Sequence, residues 1–508
     1  MDISSFRKVS VEQFYGIEYE EFPCQIAQVG MWLADHQMNL RLEELGIYHV
    51  DLPLGKGATI VHGNALRLDW DDVVPKSELS YILGNPPFKG FKVQTTEQRD
   101  DMQFVSNKQI KSIGLLDYVC GWYIKAAQYI RGTHIKCAFV STNSIAQGEQ
   151  PGILWEYLFS LNIEIDFGYR TFVWTNEAKG KAQVHCVILG FSDMSLRKVK
   201  TIYDEDASQI VKNISPYLID CDNILVQSQR NPICDVPKMI AGNKTVKCLA
   251  LIMNQDEKDS FIQKEPNAEK FIKKMIGAEE FINNIPRYCL WLVNASPAEL
   301  KKMPLVMERV ERVRQDRLNS ADKQAHILAN SPTTFRDTNN PKQALVVPLV
   351  SSERRKYIPI GYIDDSTIAN NKVSIIPNGT LYQFGVLTSN VHNAWMRCVA
   401  MRMKSDYSYS LSMVYNTFPW PNATEEQKKQ IEKLAQGVLD SRASYPDSSL
   451  ADLYDPLLMP SDLQKAHRAL DSAVMKLYGF PVKKDFTEAD CVAALMEIYH
   501  NLTGEMNV

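Results

Sequence analysis

Several common signatures are missing from this chain of 508 residues. No run of about 18 apolar residues occurs, so a helical membrane span is not expected. The start, MDISSFRKVSVEQF, has no apolar core and does not read as a secretory leader. None of the ten cysteines stands in a C-x-x-C pair. That leaves a structural zinc site without support and predicts a reducing, cytoplasmic setting. No G-x-S-x-G, H-E-x-x-H or P-loop pattern appears, so hydrolase and NTPase chemistry has no anchor. The net charge is only −4. A nucleic-acid partner would therefore have to be met by positive charge concentrated locally.

What is present is the composition of a globular protein, 45% hydrophobic and 23% charged, too long for one core. Residues 1 to about 195 alternate short apolar strands (QFYGIEY, ATIVHGNAL, LSYILG, IKCAFVST, AQVHCVILGF) with stretches of helical spacing. This predicts an α/β domain over 1–215, with a mostly parallel sheet covered on both faces. Ligands of such sheets sit beyond the carboxyl ends of the strands. From 216 to 423 the apolar runs shorten and turns multiply, which reads as an α+β domain. One long charged helix is expected there, PAELKKMPLVMERVERVRQDRLNSADKQAHILA. Residues 424–508 read as a helical region, with Thr424 as an N-terminal cap. No internal repeat or low-complexity segment is evident.

The stretch YILGNPPFKG puts Asn85 and two prolines directly after an apolar strand. An exocyclic amino group on a nucleobase is a poor nucleophile, because its lone pair is delocalised into the ring. A site that accepts hydrogen bonds from both its N–H groups favours a tetrahedral nitrogen with a free lone pair. The Asn85 side-chain carbonyl supplies one acceptor and the Pro86 backbone carbonyl the other. Pro86 and Pro87 hold both in place. Phe88 offers a face for stacking, and the base must leave the duplex to reach it. Taken alone, N-P-P-F is equally compatible with a stiff loop. Upstream, FYGIEYEE ends a strand at Glu18, where a carboxylate can take the ribose hydroxyls of a nucleoside cofactor.

N-P-P-F after a strand resembles motif IV of the amino-group DNA methyltransferases. The order of acidic strand end, N-P-P-F and downstream recognition region resembles the gamma group, which methylates adenine N6. The closer resemblance is to the single-chain type IIG/IIL (MmeI-like) restriction–modification enzymes. It is carried by FYGIEYEEFPCQIAQVGMWLADHQMN, GNALRLDW, GNPPFKG, FVSTNSIAQGEQ, RTFVWTNEAKGKAQVHCVILGF and MIGAEEFINNIPRYCLWL. Further matches are SSERRKYIPIGYI, VLTSNVHNAWMR, YNTFPWP and LYDPLLMPSDLQKAHRALDSAVMKLYG, so nearly the whole chain is covered. The resemblance implies a Rossmann-like class I methyltransferase sheet, S-adenosylmethionine as methyl donor, and duplex DNA as partner. It implies that Glu18 holds the cofactor ribose and that Asn64 or Asp69 meets its adenine. Asn85, Pro86, Pro87 and Phe88 take the motif IV positions. Phe172 or Trp174 stacks near the flipped base, with core packing as the alternative for either.

One family motif has no counterpart, a first strand ending in a glycine-rich turn of the DPACGSGNF type. Only thirteen residues precede Phe14, and none is glycine. Glycine is needed there for close approach of the backbone to the cofactor. No nuclease pattern stands upstream either. The expectation is therefore an N-terminally incomplete enzyme that binds the cofactor poorly alone. An amino-terminal polypeptide supplying the missing strand and nuclease is its expected partner. The alternative is a DNA-binding specificity subunit without catalysis. Methylation of RNA or of protein glutamine is a further reading of N-P-P-F, and the large recognition region argues against it. For DNA contact, Arg354, Arg355 and Lys356 beside Tyr357 form one candidate group. Arg397, Arg402 and Lys404 near Tyr407 and Tyr409 form another. The arginines of VMERVERVRQDR are matched by interleaved acids and read as a solvated face.

Overall fold

The computed structural model describes residues 8–44, 57–174 and 184–505, apart from positions 197, 206 and 404. The chain divides into two compact units. One holds residues 1–146 with 150–218, and the other 147–149 with 219–508.

The first unit is mixed α/β. Strand β1 (Tyr15–Glu18), helix α1 (Glu21–Glu44) and strand β2 (Thr59–His62) form a crossover, and β1 and β2 pair in parallel. A six-stranded sheet follows, made of β3 (Tyr81–Gly84), β4 (Lys136–Thr142), β5 (Ile163–Trp174), β6 (Val184–Asp193), β7 (Lys200–Tyr203) and β8 (Ser208–Val211). Its order is β3-β4-β6-β5-β7-β8. The expected mostly parallel sheet is found only in part. β3 with β4 and β5 with β7 are parallel, but β6 runs antiparallel to both β4 and β5. The cause is connection length. Helices α2 (Thr96–Val105), α3 (Cys120–Ile130) and α4 (Gln150–Ser160) supply crossovers as far as β5. β6 follows β5 after only nine residues, too few for a crossover helix, and the two pair antiparallel. α3 is buried nearly all round, as its continuous apolar sequence requires. Its Tyr123 packs on Phe139 and Phe191 from the sheet.

β1 and β3 each stand at the edge of a sheet. Among the described residues β1 pairs only with β2, and β3 only with β4. On one face of β3, Tyr81 and Leu83 are exposed, Leu83 by 77%. On α1, Phe22, Ile26, Val29 and Leu33 are also exposed. Their spacing puts them on one helical stripe.

The second unit carries two four-stranded sheets and one three-stranded sheet among its described residues. The expected single charged helix is three: Pro297–Leu300, Pro304–Leu318 and Lys323–Leu328. Pro304 cannot continue a helix and instead opens one at its first turn. Asp322 then caps the third by accepting from the Gln324 N–H at 2.9 Å. Helices Glu425–Ala443, Ser461–Leu477 and Glu488–Glu505 end the chain. Thr424 caps the first of them, its hydroxyl accepting from the Gln427 N–H at 3.3 Å.

His392 is fully buried in this unit, with Nε2 2.9 Å from the Tyr409 hydroxyl. Burial pushes its pKa down to about 3. An unfolded histidine titrates near 6.5, so between those values the unfolded chain binds a proton that the folded chain refuses. The stability this group provides is full above pH 6.5 and falls as pH drops toward 3. Its share of the loss is about 2 kcal/mol at pH 5. Denaturant melts at pH 7 and pH 5 check this. His392→Gln should flatten the pH dependence by about that amount, and an unchanged dependence would contradict it.

Candidate catalytic and DNA-reading sites

β3 delivers Asn85 to the carboxyl end of the sheet. Gly84 stands just before it, where a Cβ would lie a tight 3.1 Å from the Phe139 ring and the ring would have to shift. Asn85 is exposed, Pro86 buried, Pro87 exposed and Phe88 half-buried. The Asn85 amide and the Pro86 carbonyl have no intramolecular partner among the described residues. The Asn85 amide is therefore exposed and unengaged among the described residues, and the Pro86 carbonyl beside it keeps its acceptor capacity on a braced loop.

The bracing comes from residues that the sequence did not single out. The Phe91 N–H donates to Asp117 Oδ1 at 2.9 Å, and the Tyr118 N–H donates to the Lys89 carbonyl at 2.9 Å. Gln94 Nε2 donates to the Leu116 carbonyl at 3.0 Å. Asp117 is itself held. Its Oδ2 accepts from the Ser144 hydroxyl at 2.7 Å, and its N–H donates to Gln150 Oε1 at 3.0 Å. The segment just after N-P-P-F is thus stapled to residues 116–118, and through them to the end of β4 and the start of α4.

A second carboxylate ties in the loop after β2. Asp101, only 1% exposed, accepts from Asn64 Nδ2 at 2.9 Å, from the Tyr118 hydroxyl at 2.7 Å and from the Arg67 guanidinium. Burial, and then Asp101, push the Tyr118 phenol well up. Asn64 is committed at both ends, since its Oδ1 accepts from the Leu66 N–H at 2.9 Å. Asp69 caps a short 3-10 turn by accepting from the Asp71 N–H at 3.1 Å. Glu18, at the end of β1, accepts from the Glu20 N–H with one oxygen at 3.2 Å. No contact of its other oxygen is recorded among the described residues, so Glu18 retains free acceptor capacity.

Strand directions put Phe172 and Trp174 on the same edge as Asn85. β5 is antiparallel to β6, and β6 to β4, so β5 runs with β3 and β4. The row Gly84–Phe139–Leu189–Gly168 crosses the sheet, and Phe172 lies four residues beyond Gly168. Trp174 is 40% exposed and Phe172 partly so, with ring centroids 6.3 Å apart. Residues 175–183, the rest of that loop, lie outside the described residues.

Asp117→Ala should leave the chain folded but loosen the catalytic loop. Removing one buried acceptor costs about 1–3 kcal/mol, borne locally. Hydrogen exchange should then show the Phe91 and Tyr118 amides exchanging roughly ten- to hundredfold faster. Protection equal to that of the unsubstituted chain would show that the staple does not hold the loop.

In the second unit, Arg402 lies on one strand of a three-stranded sheet, Arg354, Arg355 and Lys356 lie in the turn after another of its strands, and Arg397 lies on the helix Asn390–Val399. Val350–Ser351 pairs with Asp406–Ser408, which pairs with Met401–Met403. The side chains differ in availability. Arg397 makes a two-pronged pair with Glu488 at 2.7 Å and also donates to the Lys356 carbonyl. Arg402 pairs with Glu353 at 2.7 Å and donates to the Tyr407 hydroxyl at 3.0 Å. Both are largely spent inside the protein. Arg354 is exposed, with Asp455 at a loose 3.8 Å. Arg355 is half-buried with no ion pair or hydrogen bond from its guanidinium among the described residues, and burial lowers its pKa. Lys356 is exposed over the Tyr357 ring. Lys404 lies outside the described residues.

Three family models match the chain consecutively. They are the MmeI DNA-methyltransferase domain over 2–204, the MmeI target recognition domain over 220–422, and the MmeI C-terminal domain over 423–507. DNA methyltransferase A of Bacillus subtilis (strain 168) is 40% identical over 501 residues. That alignment takes in 97% of this chain and 56% of the relative, so the chain spans little more than half of its length. The solved structure of the type IIL restriction–modification enzyme MmeI in complex with DNA superposes with a TM-score of 0.89 at 45% identity. It covers 99% of this chain and 68% of that one.

Proposed function

Because the chain belongs to the MmeI family of methyltransferase, target-recognition and C-terminal domains, we propose that it is the modifying and DNA-reading part of a restriction–modification enzyme. It methylates adenine N6 in duplex DNA, with S-adenosylmethionine as donor and the target base flipped out of the helix. The observation that carries this reading is the pair of unpartnered acceptors at Asn85 and Pro86. They stand at a strand end, beside Phe88 and on the same edge as Phe172 and Trp174. Two acceptors suit a group with two N–H donors, and the aromatic rings suit a flat, unstacked base.

The residues present fit the cofactor in part. Glu18 has acceptor capacity left for ribose hydroxyls at the end of β1. Asn64 is fully engaged with Asp101 and Leu66, and serves to shape its loop. Asp69 keeps one oxygen beyond its cap, and of the two it is the better candidate for the adenine. Bound S-adenosylmethionine supplies the methyl group. This chain's residues receive the base, accept from its amino group and hold the nitrogen in line. The edges of β1 and β3 that are unpaired among the described residues support an amino-terminal polypeptide as partner, which would supply a strand between them and complete a Rossmann-like sheet.

We divide the roles at 1–215 for catalysis, 216–423 for recognition and 424–508 for support of the recognition domain. Of the two candidate groups, Arg354, Arg355 and Lys356 are the leading DNA contacts, because their side chains are less neutralised within the protein than those of Arg397 and Arg402. A half-buried guanidinium without a partner is costly unless a ligand completes it. A cytoplasmic location goes with this reading. Mass spectrometry of duplex DNA exposed to the chain, with and without an added amino-terminal polypeptide, tests it through N6-methyladenine. DNA bound tightly but left unmethylated in both arms would favour the second reading, a specificity subunit without catalysis.

A further inference from the structure

Arg317 is fully buried in the second unit, and no carboxylate neutralises it among the described residues. Its guanidinium donates to the carbonyls of Leu328, Ser331 and Thr334 at 2.7–2.8 Å and of Val246 at 3.2 Å. It also reaches Cys248 Sγ at 2.7 Å. Burying an uncompensated charge is expensive, and packing alone does not require it. What these bonds do is fix the conformation of two loops, 243–247 and 331–342. The same loops are pinned to each other. Asn243 Nδ2 donates to the Asn339 carbonyl at 2.9 Å, and Asn243 Oδ1 accepts the Asn339 N–H at 2.7 Å. The Arg336 N–H donates to the Lys244 carbonyl at 3.0 Å, and the Lys244 N–H to Asp337 Oδ2 at 3.1 Å.

The fixed loops carry Lys244, Lys247, Arg336 and Lys342, all exposed. None of the four has a counter-ion among the described residues. The one acid between them, Asp337, is engaged by the Lys244 backbone. Backbone-fixed loops that present several uncompensated cations suit a rigid polyanion of regular charge spacing.

We propose that these paired loops are a second DNA-contacting surface, in which Lys244, Lys247, Arg336 and Lys342 engage backbone phosphates and Arg317 is the positioning residue. The proposal rests on the DNA-binding reading above. It adds to the Arg354–Lys356 turn a patch anchored on different elements of the same unit.

The test is fluorescence anisotropy of the full chain with a short mixed-sequence duplex over a series of salt concentrations. Each phosphate contact contributes about 0.9 to the slope of log affinity against log salt. The double substitution Lys244→Ala/Arg336→Ala should lower that slope by roughly 1.8 and weaken low-salt binding roughly tenfold or more. The control removes the same charge elsewhere. Lys301→Ala/Lys302→Ala lies just before the amino end of the helix Pro304–Leu318, about 20 Å from Arg317 near its other end. The control should leave the slope unchanged. All four sites are exposed, so the variants should fold normally. If the unsubstituted chain binds and both variants keep its slope, the surface is overturned. If both variants lose slope equally, net charge is the cause and the surface is again overturned. If the unsubstituted chain does not bind duplex at all, the DNA reading itself falls.

Discussion

Asn85→Ala should reduce methyl incorporation into duplex DNA by roughly 10²–10³-fold, the usual loss when one preorganised hydrogen-bonding group is removed from a transition state. The side chain is exposed and makes no hydrogen bond to the described residues. Its removal therefore takes away an acceptor for the target amino group and little else. Thermal stability should stay within about 0.5 kcal/mol of the unsubstituted chain, as for other surface substitutions. DNA affinity should also hold, because the residues proposed to contact phosphate lie in the other unit. The loss should fall on the rate of transfer and not on the apparent affinity for substrate, since the acceptor is needed most as the nitrogen becomes tetrahedral. The assay follows labelled methyl groups into duplex DNA, in the presence of the amino-terminal polypeptide. Phe88→Ala is the companion, with loss expected mainly in the capture of the flipped base. Transfer that survives Asn85→Ala at the original rate would refute the role given to this residue.

What could be read in the sequence and what could not differ by a physical rule. The candidate catalytic loop could be picked out because its residues are contiguous: Asn85, the two prolines and Phe88 follow one another, and the strand signal before them is β3. Its support was not legible. Asp117 reaches Phe91 across 26 residues, and Asp101 reaches Asn64 across 37, and neither sits in a recognisable spacing. The same rule governs the basic residues. Arg397 looked available for DNA because Glu488, which neutralises it, lies 91 residues away. Arg402 meets Glu353 across 49 residues. A local count of charges sees compensation only within a helix or a turn. It therefore favoured these arginines, and it passed over Lys244 and Arg336, which meet only in the folded chain. The long charged helix breaks first for a local reason that was in plain view: Pro304 stands inside it, near its start. The sheet was expected to be mostly parallel because helices separate the early strands. The turn from β5 back into β6 breaks that pattern with no helix signal of its own.

By itself the 508-residue chain should bind S-adenosylmethionine no tighter than the high micromolar range, and a strand supplied between β1 and β3 should tighten this by roughly a hundredfold or more, about 2.7 kcal/mol. The reasoning starts at the strand ends. Glu18 can take ribose hydroxyls, but β1 has a neighbour on one side only among the described residues. β3, which carries Asn85, is open in the same way, with Leu83 and Tyr81 uncovered on one face. The stripe Phe22, Ile26, Val29 and Leu33 on α1 is uncovered as well. A strand between β1 and β3 would pair both open edges, and the helix attached to it would have apolar surface to cover. It would also set Glu18 and Asn85 at a fixed separation, which neither sheet fixes alone. Binding energy that must otherwise order these parts would then go into holding the cofactor. Calorimetric titration with the cofactor, alone and with the amino-terminal polypeptide, measures both states. Low-micromolar affinity in the chain alone would mean that the open edges do not limit the site and that Glu18 and its neighbours suffice.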